Sequence, residues 1–577
     1  MNYSDIIDTI ANIFSCNKED IKNFTPQKLG MTNHSYLFEI NNNKYLFRKP
    51  GEGTNKIINR YNEAHVYSLI SGLNISDEII YIDPKHGYKI SKYIENSRVC
   101  NPQNLDDVSK CMEKLRKLHD QKLKCSHEFN LFEQLEYYEK LLTSPSKYND
   151  YFNTKMKVLS LQNWINGIKK ESILSHVDPV ADNFLLNDDE TILIDWEYAA
   201  MQDPDIDIAM FCLYSLYDDE MIDKIIDIYY DNNCPYDIRT KIYAYLSVGG
   251  LVWSNWCEFK RQCGNEFNEY ADKQYYYAKY YYEKTINRLK TISVDNAIIL
   301  AAGTSSRFAP LSFENPKALL NVKGEPMIER LINQLQSSGI NEIIVVTGYK
   351  AEKFEYLRDK FGIKIIYNSD FNTKNNYSSL YAVKDHLKNS YICCADNYYQ
   401  NNPFLSKELN PFYSCVHFKY TDSEWAVDID SSDRIIDVNI GGEDKYCMFG
   451  HVFFDESFSK KLIQMIEQIY NNDEYNSLLW EAIYLKNIDK LPLYIRRYSS
   501  NDIFEFDTLD ELRLFDSSYI YNTRSSILKK LSIKHKCNES DIHNIEAIKG
   551  GNNTATGFNY NIGNNTYTYY YNNYSNK

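Results

Sequence analysis

Around Asn296 the chain changes its pattern, and the new pattern leaves few folds open. Ala297-Ile298-Ile299-Leu300-Ala301-Ala302-Gly303 is an unbroken apolar strand running into small residues and a glycine turn. Met327–Ser337 places its apolar residues at helical spacing, and Ile343 to Val346 form a second apolar run. A strand without polar alternation must be covered on both faces. Strand, helix, strand at this spacing predicts a βαβ unit and a parallel, Rossmann-like α/β sheet. The pattern continues to about Tyr521.

The preceding stretch reads differently. An amphipathic helix is expected near Asp5–Phe14, and alternating segments at Ser35–Ile40 and Lys44–Arg48 flank a turn at Asn41–Asn43, which predicts a hairpin. Residues 100–290 are mostly helical in pattern, with one strand–turn–strand insertion around Ile173–Ile194. A small sheet lobe before a helical lobe is the outline of a protein-kinase-like two-lobe (α+β) domain. In the last fifty residues Cys537-Asn538-Glu539, Asp541-Ile542 and Lys549-Gly550-Gly551 echo Cys16-Asn17-Lys18, Asp20-Ile21 and Lys28-Leu29-Gly30. The expected layout is an α/β multidomain chain: 1–290 the kinase-like two-lobe domain, 293–522 the Rossmann-like α/β domain, and 524–577 a short partial repeat of the first domain's N-terminal region. The tail lacks any H-x-D-x-x-x-x-N, so it could serve only as a remnant or as a packing or dimerisation element, and a homodimer is left open.

Composition excludes some classes. The 577 residues carry a net charge of −15, which argues against a nucleic-acid partner, because a phosphate polymer wants a basic face. No apolar run is long enough for a membrane span. The opening MNYSDIIDTIANIFS has no basic region and no long apolar core, so no signal peptide is expected. The 13 cysteines are scattered without a C-x-x-C pair, as in reduced cytoplasmic proteins.

Two constellations carry chemistry. The first is His176-x-Asp178-x-x-x-x-Asn183, followed by Ile194-Asp195-Trp196-Glu197. Phosphoryl transfer needs one carboxylate to accept the proton of the attacking hydroxyl, and a carboxamide and a second carboxylate to hold Mg²⁺ on the phosphates. Asp178 suits the first role, Asn183 and Asp195 the second. With Asp203 to Ala209 the segment resembles the choline/ethanolamine kinase family, over about residues 10–290. The resemblance implies that Gly30, Thr32, Asn33 and Ser35 belong to the glycine loop over the ATP phosphates. It makes Arg48 the counterpart of the usual lysine, with Glu63 its ion-pair partner. His176 and Asp207 would be structural. Strand alternation lets only one of Arg48 and Lys49 face the nucleotide, and Arg48 is favoured. Val177 replaces a polar residue usual between the His and the Asp. A quaternary ammonium is held by aromatic faces backed by carboxylates. Trp253 and Trp256 share a helix face and match the family's tryptophan region, with Trp196 and Tyr280–Tyr282 as further candidates.

The second constellation is Leu300 to Ile332. Leu300, Ala301, Ala302 and Gly303 let a nucleotide approach the backbone, while Arg307 and Lys317 can neutralise the triphosphate and the leaving pyrophosphate. This resembles the sugar-nucleotide and alditol-phosphate nucleotidyltransferase superfamily, although Ser305 stands where many members have a second glycine. Asp396, at the end of an apolar strand, and Asp507, in a strand Glu505-Phe506-Asp507, are the expected Mg²⁺ ligands, with Glu505 on the same face. Ala395 to Tyr399, Ser423-Glu424-Trp425, Leu479-Trp480-Glu481 and Phe504 to Leu512 together resemble bacterial CTP:phosphocholine cytidylyltransferases. That implies Trp425, Trp480, Glu481 and Glu505 around a trimethylammonium group. Leu479 departs from an expected aromatic.

The two halves explain each other: one makes phosphocholine from choline and ATP, the other couples it to CTP. Other readings are the same reactions on ethanolamine or another amino alcohol, a sugar kinase with a sugar-1-phosphate nucleotidyltransferase, or one half acting as a non-catalytic binding domain.

Overall fold

The computed structural model describes residues 3–27, 33–51, 58–168, 171–188, 190–550 and 555–571. The chain divides into two compact units, Met1–Asn149 with Lys169–Leu289, and Asp150–Ile168 with Lys290–Lys577.

In the first unit the helix Tyr3–Phe14 buries Ile6 and Ile10, one turn apart, in an apolar cluster with Tyr36, Phe38 and Phe47 of the sheet. That sheet is antiparallel: β1 (Lys22–Pro26), β2 (Asn33–Ile40), β3 (Asn43–Pro50), β4 (Ile79–Asp83) and β5 (Tyr88–Lys92), in the order β1-β2-β3-β5-β4. The β2–β3 turn is shorter than expected, because Asn43 already pairs with Ile40. Only Asn41 and Asn42 turn, with φ 51 and 62, and asparagine tolerates that left-handed geometry. Asn59 caps the helix Arg60–Ile70 by accepting from the N–H of Tyr61 and Asn62. The helical lobe is dominated by Leu105–Asp120, Tyr236–Gln262 and Asn268–Ile286, with short strands at Ile173–Ser175, Phe184–Leu186 and Thr191–Leu193.

The second unit is built on seven strands: β6 (Asn296–Ala301), β7 (Ile343–Thr347), β8 (Lys364–Tyr367), β9 (Ser390–Cys394), β10 (Phe412–Ile429), β11 (Ile435–Phe454) and β12 (Tyr494–Tyr498). Their order is β8-β7-β6-β9-β11-β10-β12. β6 lies between two parallel neighbours, β7 and β9. Its apolar run is explained by burial on both faces: Ala297 and Ile299 enter one core cluster, Ile298 another. β11 pairs antiparallel with both β9 and β10, so the sheet is mixed.

The domain limits differ from a continuous 1–290 block. The helices Tyr151–Ser160 and Gln162–Gly167 belong to the second unit. Met156 enters its core. Asn163 Nδ2 donates to the Ile495 carbonyl at 3.0 Å, and Asn166 Nδ2 to Asp433 at 2.7 Å. β12 is an edge strand, and a side-chain donor satisfies one of its open carbonyls.

The tail forms the helix Ser526–His535, a single turn Glu539–Asp541, and an antiparallel sheet of β13 (Ile542–Lys549), β14 (Ala555–Ile562) and β15 (Asn565–Tyr570). Helix, turn and three strands also stand in that order in residues 3–50, and reciprocal Asn–Asp capping opens both turns, Asn17 with Asp20 and Asn538 with Asp541. Among the described residues no helix is long and apolar enough to cross a membrane, and none of the 13 cysteines is in a disulfide.

Candidate active sites

In the first unit short strands set the catalytic loop. Ile173–Ser175 delivers the chain to His176, and the hairpin of Phe184–Leu186 with Thr191–Leu193 returns it beside Asn183. Ile194 N–H donates to the Asn183 carbonyl at 2.9 Å, which places Asp195 next to that residue. Asp195 lies past the strand rather than on it, in a left-handed conformation with φ 65. Asn183 Nδ2 donates to the Asp178 carbonyl at 3.0 Å.

Asp207 anchors this loop. Fully buried at the start of helix Asp205–Tyr214, it accepts the backbone N–H of His176 at 2.8 Å and of Val177 at 2.7 Å, and lies 2.9 Å from His119 Nε2. Val177 has φ 69. A β-branched residue there is strained by on the order of 1–3 kcal/mol, and two hydrogen bonds to one carboxylate hold it in place. His176 Nε2 faces the Ile194 carbonyl at 3.0 Å, and burial takes its pKa down to about 4, so the ring is neutral near pH 7. Burial, then the charges of Asp195 and Glu197, push Asp178 up to about 8, while the neighbouring Tyr214 hydroxyl acts the other way. A carboxylate with that proton affinity can act as a general base for an alcohol.

Arg48 Nη1 lies 2.6 Å from Glu63, 3.2 Å from Asp195 and 3.6 Å from Glu197. Burial alone would raise Glu63, but Arg48 in charge and hydrogen bond, then Lys89 and Arg60, hold it at about 2. Arg60 and Glu197 complete this cluster at 2.9 Å. Glu197, two residues after Asp195, was visible in the motif but given no role; Arg60 had no sequence signal. Asn33 is not where the glycine-loop expectation put it. Its side chain donates to Glu197 at 3.0 Å and accepts from Arg60 at 3.3 Å, inside the ion cluster. Gly30 and Thr32 lie outside the described residues, and Ser35 is half-buried on β2. Carboxylate oxygens of Glu63, Asp195 and Glu197 lie within 4.8 Å of one another, but the guanidinium groups of Arg48 and Arg60 compensate Glu63 and Glu197. Asp195, partly exposed, and Asn183 offer the hard oxygen donors that suit a divalent cation.

Trp253 and Trp256 stand one turn apart on the helix Tyr236–Gln262, with ring centroids 5.9 Å apart. Trp253 lies 5.2 Å from Tyr214 and 6.4 Å from Tyr138. The hydroxyls of Tyr138, Tyr198, Tyr214 and Tyr270 all feel the charge of Asp178, so these four tyrosines belong to its neighbourhood. These tyrosines escaped sequence reasoning because 51 tyrosines give no contrast. Trp256 packs instead against Phe267, and Trp196 is fully buried against His176, with its indole N–H on the Leu193 carbonyl. Tyr281 donates to Asp219 at 3.1 Å, Tyr280 stacks on Tyr276, and Tyr282 is buried, so Trp196 and Tyr280–Tyr282 serve packing.

In the second unit β6 ends at Ala301, and the chain passes through Ala302 and Gly303 into a loop of single helical turns. Nothing lies within 4 Å of where a Gly303 Cβ would stand, so its surroundings are open to a ligand. Ser305 has φ 46, the left-handed geometry that a glycine adopts freely and that costs serine about 1–2 kcal/mol. Arg307, exposed, pairs with Asp507 at 2.6 Å, and buried Lys317 with Asp396 at 2.9 Å. Asp396 occupies the turn between β9 and the strand Asn397–Tyr399, which pairs antiparallel with Ile503–Glu505 and sets Glu505 opposite Asn397. That strand stops at Glu505, so alternation does not orient Asp507. Glu511, capping the helix Leu509–Phe515, accepts the Asp507 N–H at 2.7 Å.

Burial opposes the Lys317 charge, yet Asp396 and Glu505 raise its pKa; burial would raise Asp396, yet Lys317 holds it low. Loss of water, then the charges of Asp396, Asp507 and Glu424, push Glu505 up against the pull of Lys317. Four carboxylates thus face two cations, a donor set that suits a divalent metal ion. Glu481, at the start of helix Trp480–Leu485, accepts from Asn376 Nδ2 at 3.1 Å and from the Tyr413 hydroxyl at 3.5 Å. Burial raises it to about 7 against those bonds. Tyr413 feels both Glu481 and Glu505, which brings Glu481 to the same part of the unit. Asn376 and Tyr413 were not anticipated, and Glu424, beside Trp425 in the motif, was given no role. Trp425 is half-buried on β10. Trp480 is corrected from a cage wall to a core residue: it is 2% exposed, its ring 6.0 Å from Tyr413 and 5.2 Å from Phe454.

A two-lobed kinase-like unit with an Asp–Asn–Asp set, and a Rossmann-like unit with paired cations and carboxylates at its strand ends, define a phosphotransferase joined to a nucleotidyltransferase. Residues 24–248 match the choline/ethanolamine kinase family, and residues 297–407 the MobA-like NTP transferase domain. The chain belongs to both families, one in each half. Its second half is 34% identical over 217 residues to the choline-phosphate cytidylyltransferase of Streptococcus pneumoniae (38% of this chain, 95% of that one). It is 35% identical over 236 residues to the 2-aminoethylphosphonate cytidylyltransferase of Lancefieldella rimae (40% and 95%). Its first half is 30% identical over 262 residues to protein LicA of Haemophilus influenzae (42% and 96%).

Proposed function

We propose that the protein phosphorylates choline with ATP, then transfers the cytidylyl group of CTP to the phosphocholine formed, giving CDP-choline and pyrophosphate. One observation carries the reading. Asp178, placed to take a hydroxyl proton, has the Tyr214 hydroxyl as a neighbour, and Trp253 packs 5.2 Å from the Tyr214 ring, so aromatic faces of the kind a quaternary ammonium alcohol needs stand close to the base. Choline's hydroxyl oxygen attacks the γ-phosphorus, its proton passes to Asp178, and ADP leaves. In the second unit a phosphocholine oxygen attacks the α-phosphorus of CTP, and Arg307 and Lys317 stabilise the departing pyrophosphate. Mg²⁺, held by Asn183 and Asp195 in one unit and by Asp396 and Asp507 in the other, would supply charge neutralisation at the phosphates. The substrates are small molecules rather than nucleic acid, and cysteines without disulfides suit a cytoplasmic setting.

A primary ammonium is the second reading, favoured by the acceptor carboxyl of Glu481 and by the 2-aminoethylphosphonate relative. That phosphonate needs no kinase, so the neighbouring kinase unit supports a phosphate ester as the second substrate. The purified chain with ATP, CTP, Mg²⁺ and choline should accumulate CDP-choline. Faster turnover of ethanolamine, or of 2-aminoethylphosphonate with CTP alone, would replace choline in this assignment.

A further inference from the structure

None of the tail's described residues is among the groups assigned to chemistry above, yet the tail shares a core with the loop that carries Arg307 and Lys317. That loop consists of the single turns Ser306–Phe308, Leu311–Glu314 and Lys317–Leu319, with little regular structure to fix it. Its Phe308 and Leu311, 1% and 2% exposed, lie in one apolar cluster with Leu528, Ile542, Phe558 and Tyr571 of the tail. Phe313 stacks on Tyr571 with centroids 3.6 Å apart and planes 5° apart. Glu314 accepts the Ile527 N–H at 3.2 Å and the Ser526 hydroxyl, and Arg524 Nη1 donates to the Asn321 carbonyl at 2.6 Å.

These contacts bracket the segment from Ser305 to Asn321. Gly303 faces open space on one side, and the tail fills the apolar side of the turns C-terminal to it. We propose that residues 524–550 and 555–571 are a positioning brace for the triphosphate-binding loop, holding Arg307 and Lys317 in register with Asp507 and Asp396. The proposal rests on the cytidylyltransferase reading. It assigns the tail neither a nucleotide site of its own nor contact with the reacting atoms.

The test compares Tyr571→Ala and Tyr571→Phe in the full-length chain, following pyrophosphate release from CTP and phosphocholine, with the choline kinase rate as control. Among the described residues the Tyr571 hydroxyl has no hydrogen-bond partner, so the phenylalanine variant keeps the stacking and should behave as wild type. Misplaced loop cations should raise KM for CTP about tenfold or more in Tyr571→Ala, while KM for phosphocholine stays within about twofold. Kinase kinetics should be unchanged. An unaltered KM for CTP in Tyr571→Ala, with or without a fall in Vmax, would overturn the brace, because a purely structural role only reduces the folded fraction. No pyrophosphate release by the wild type would overturn the cytidylyltransferase reading itself.

Discussion

Glu481→Gln tests the role assigned to the half-buried carboxyl of the second unit. Gln keeps the shape and removes the charge. With a pKa of about 7, Glu481 is about half ionised at pH 7, and completing its ionisation costs about 0.4 kcal/mol. A carboxylate about 4 Å from a cationic centre contributes about 4 kcal/mol at an effective dielectric of about 20. After that cost and further screening, about 2–3 kcal/mol remains, or roughly a 30- to 150-fold rise in KM for phosphocholine. The pH dependence carries a sign. Below about pH 7 Glu481 gains a proton and its attraction for the cation is lost, so wild-type KM should rise about tenfold from pH 8 to pH 6 on this account alone. The substrate phosphate titrates with a pKa near about 6, and the Gln variant isolates that contribution. Initial rates of pyrophosphate release across this range, with the kinase rate as a folding control, measure both curves. A variant KM within about twofold of wild type, or a variant pH slope equal to the wild-type slope, would refute the role.

Asp178→Ala should lower choline phosphorylation by about 10²- to 10⁴-fold while added phosphocholine is still converted to CDP-choline, which separate assays of the two steps would show. Arg48→Ala leaves Glu63, 1% exposed, with its principal partner gone. The first unit should lose about 3–5 kcal/mol in urea unfolding, and kinase activity with it. Trp253→Ala should weaken choline binding by about 1–2 kcal/mol and ethanolamine binding by less, read as the ratio of their KM values, since ethanolamine can donate hydrogen bonds in place of aromatic contact.

Much of both units was legible because their signals are local. The H-x-D-x-x-x-x-N spacing and the returning Asp195 describe one hairpin, and the apolar β6 run can only be a strand covered on both faces. Glu63 as the partner of Arg48 was already implied by the resemblance, whereas the pairing of the two cations with Asp396 and Asp507 needed the fold. Asn33 shows why: its place beside a glycine loop suggested phosphate contact, but burial turned its amide toward Glu197. Trp480 gave a similar false lead, since a tryptophan beside a glutamate looks alike in sequence whether its ring lines a pocket or fills the core beneath one. The helices at 151–167 are contained in the second unit although the chain around them builds the first, and no local pattern announces that.

The residue order by itself determined the two nucleotide-handling constellations and the run of elements, because both depend on spacing along a few turns or one strand. Tertiary structure alone decided which tyrosines come near Asp178, which carboxylates change their proton affinity, and where the tail docks. Those outcomes depend on burial and on charges brought close from distant parts of the chain, and neither desolvation nor a long-range ion pair exists until the core has closed.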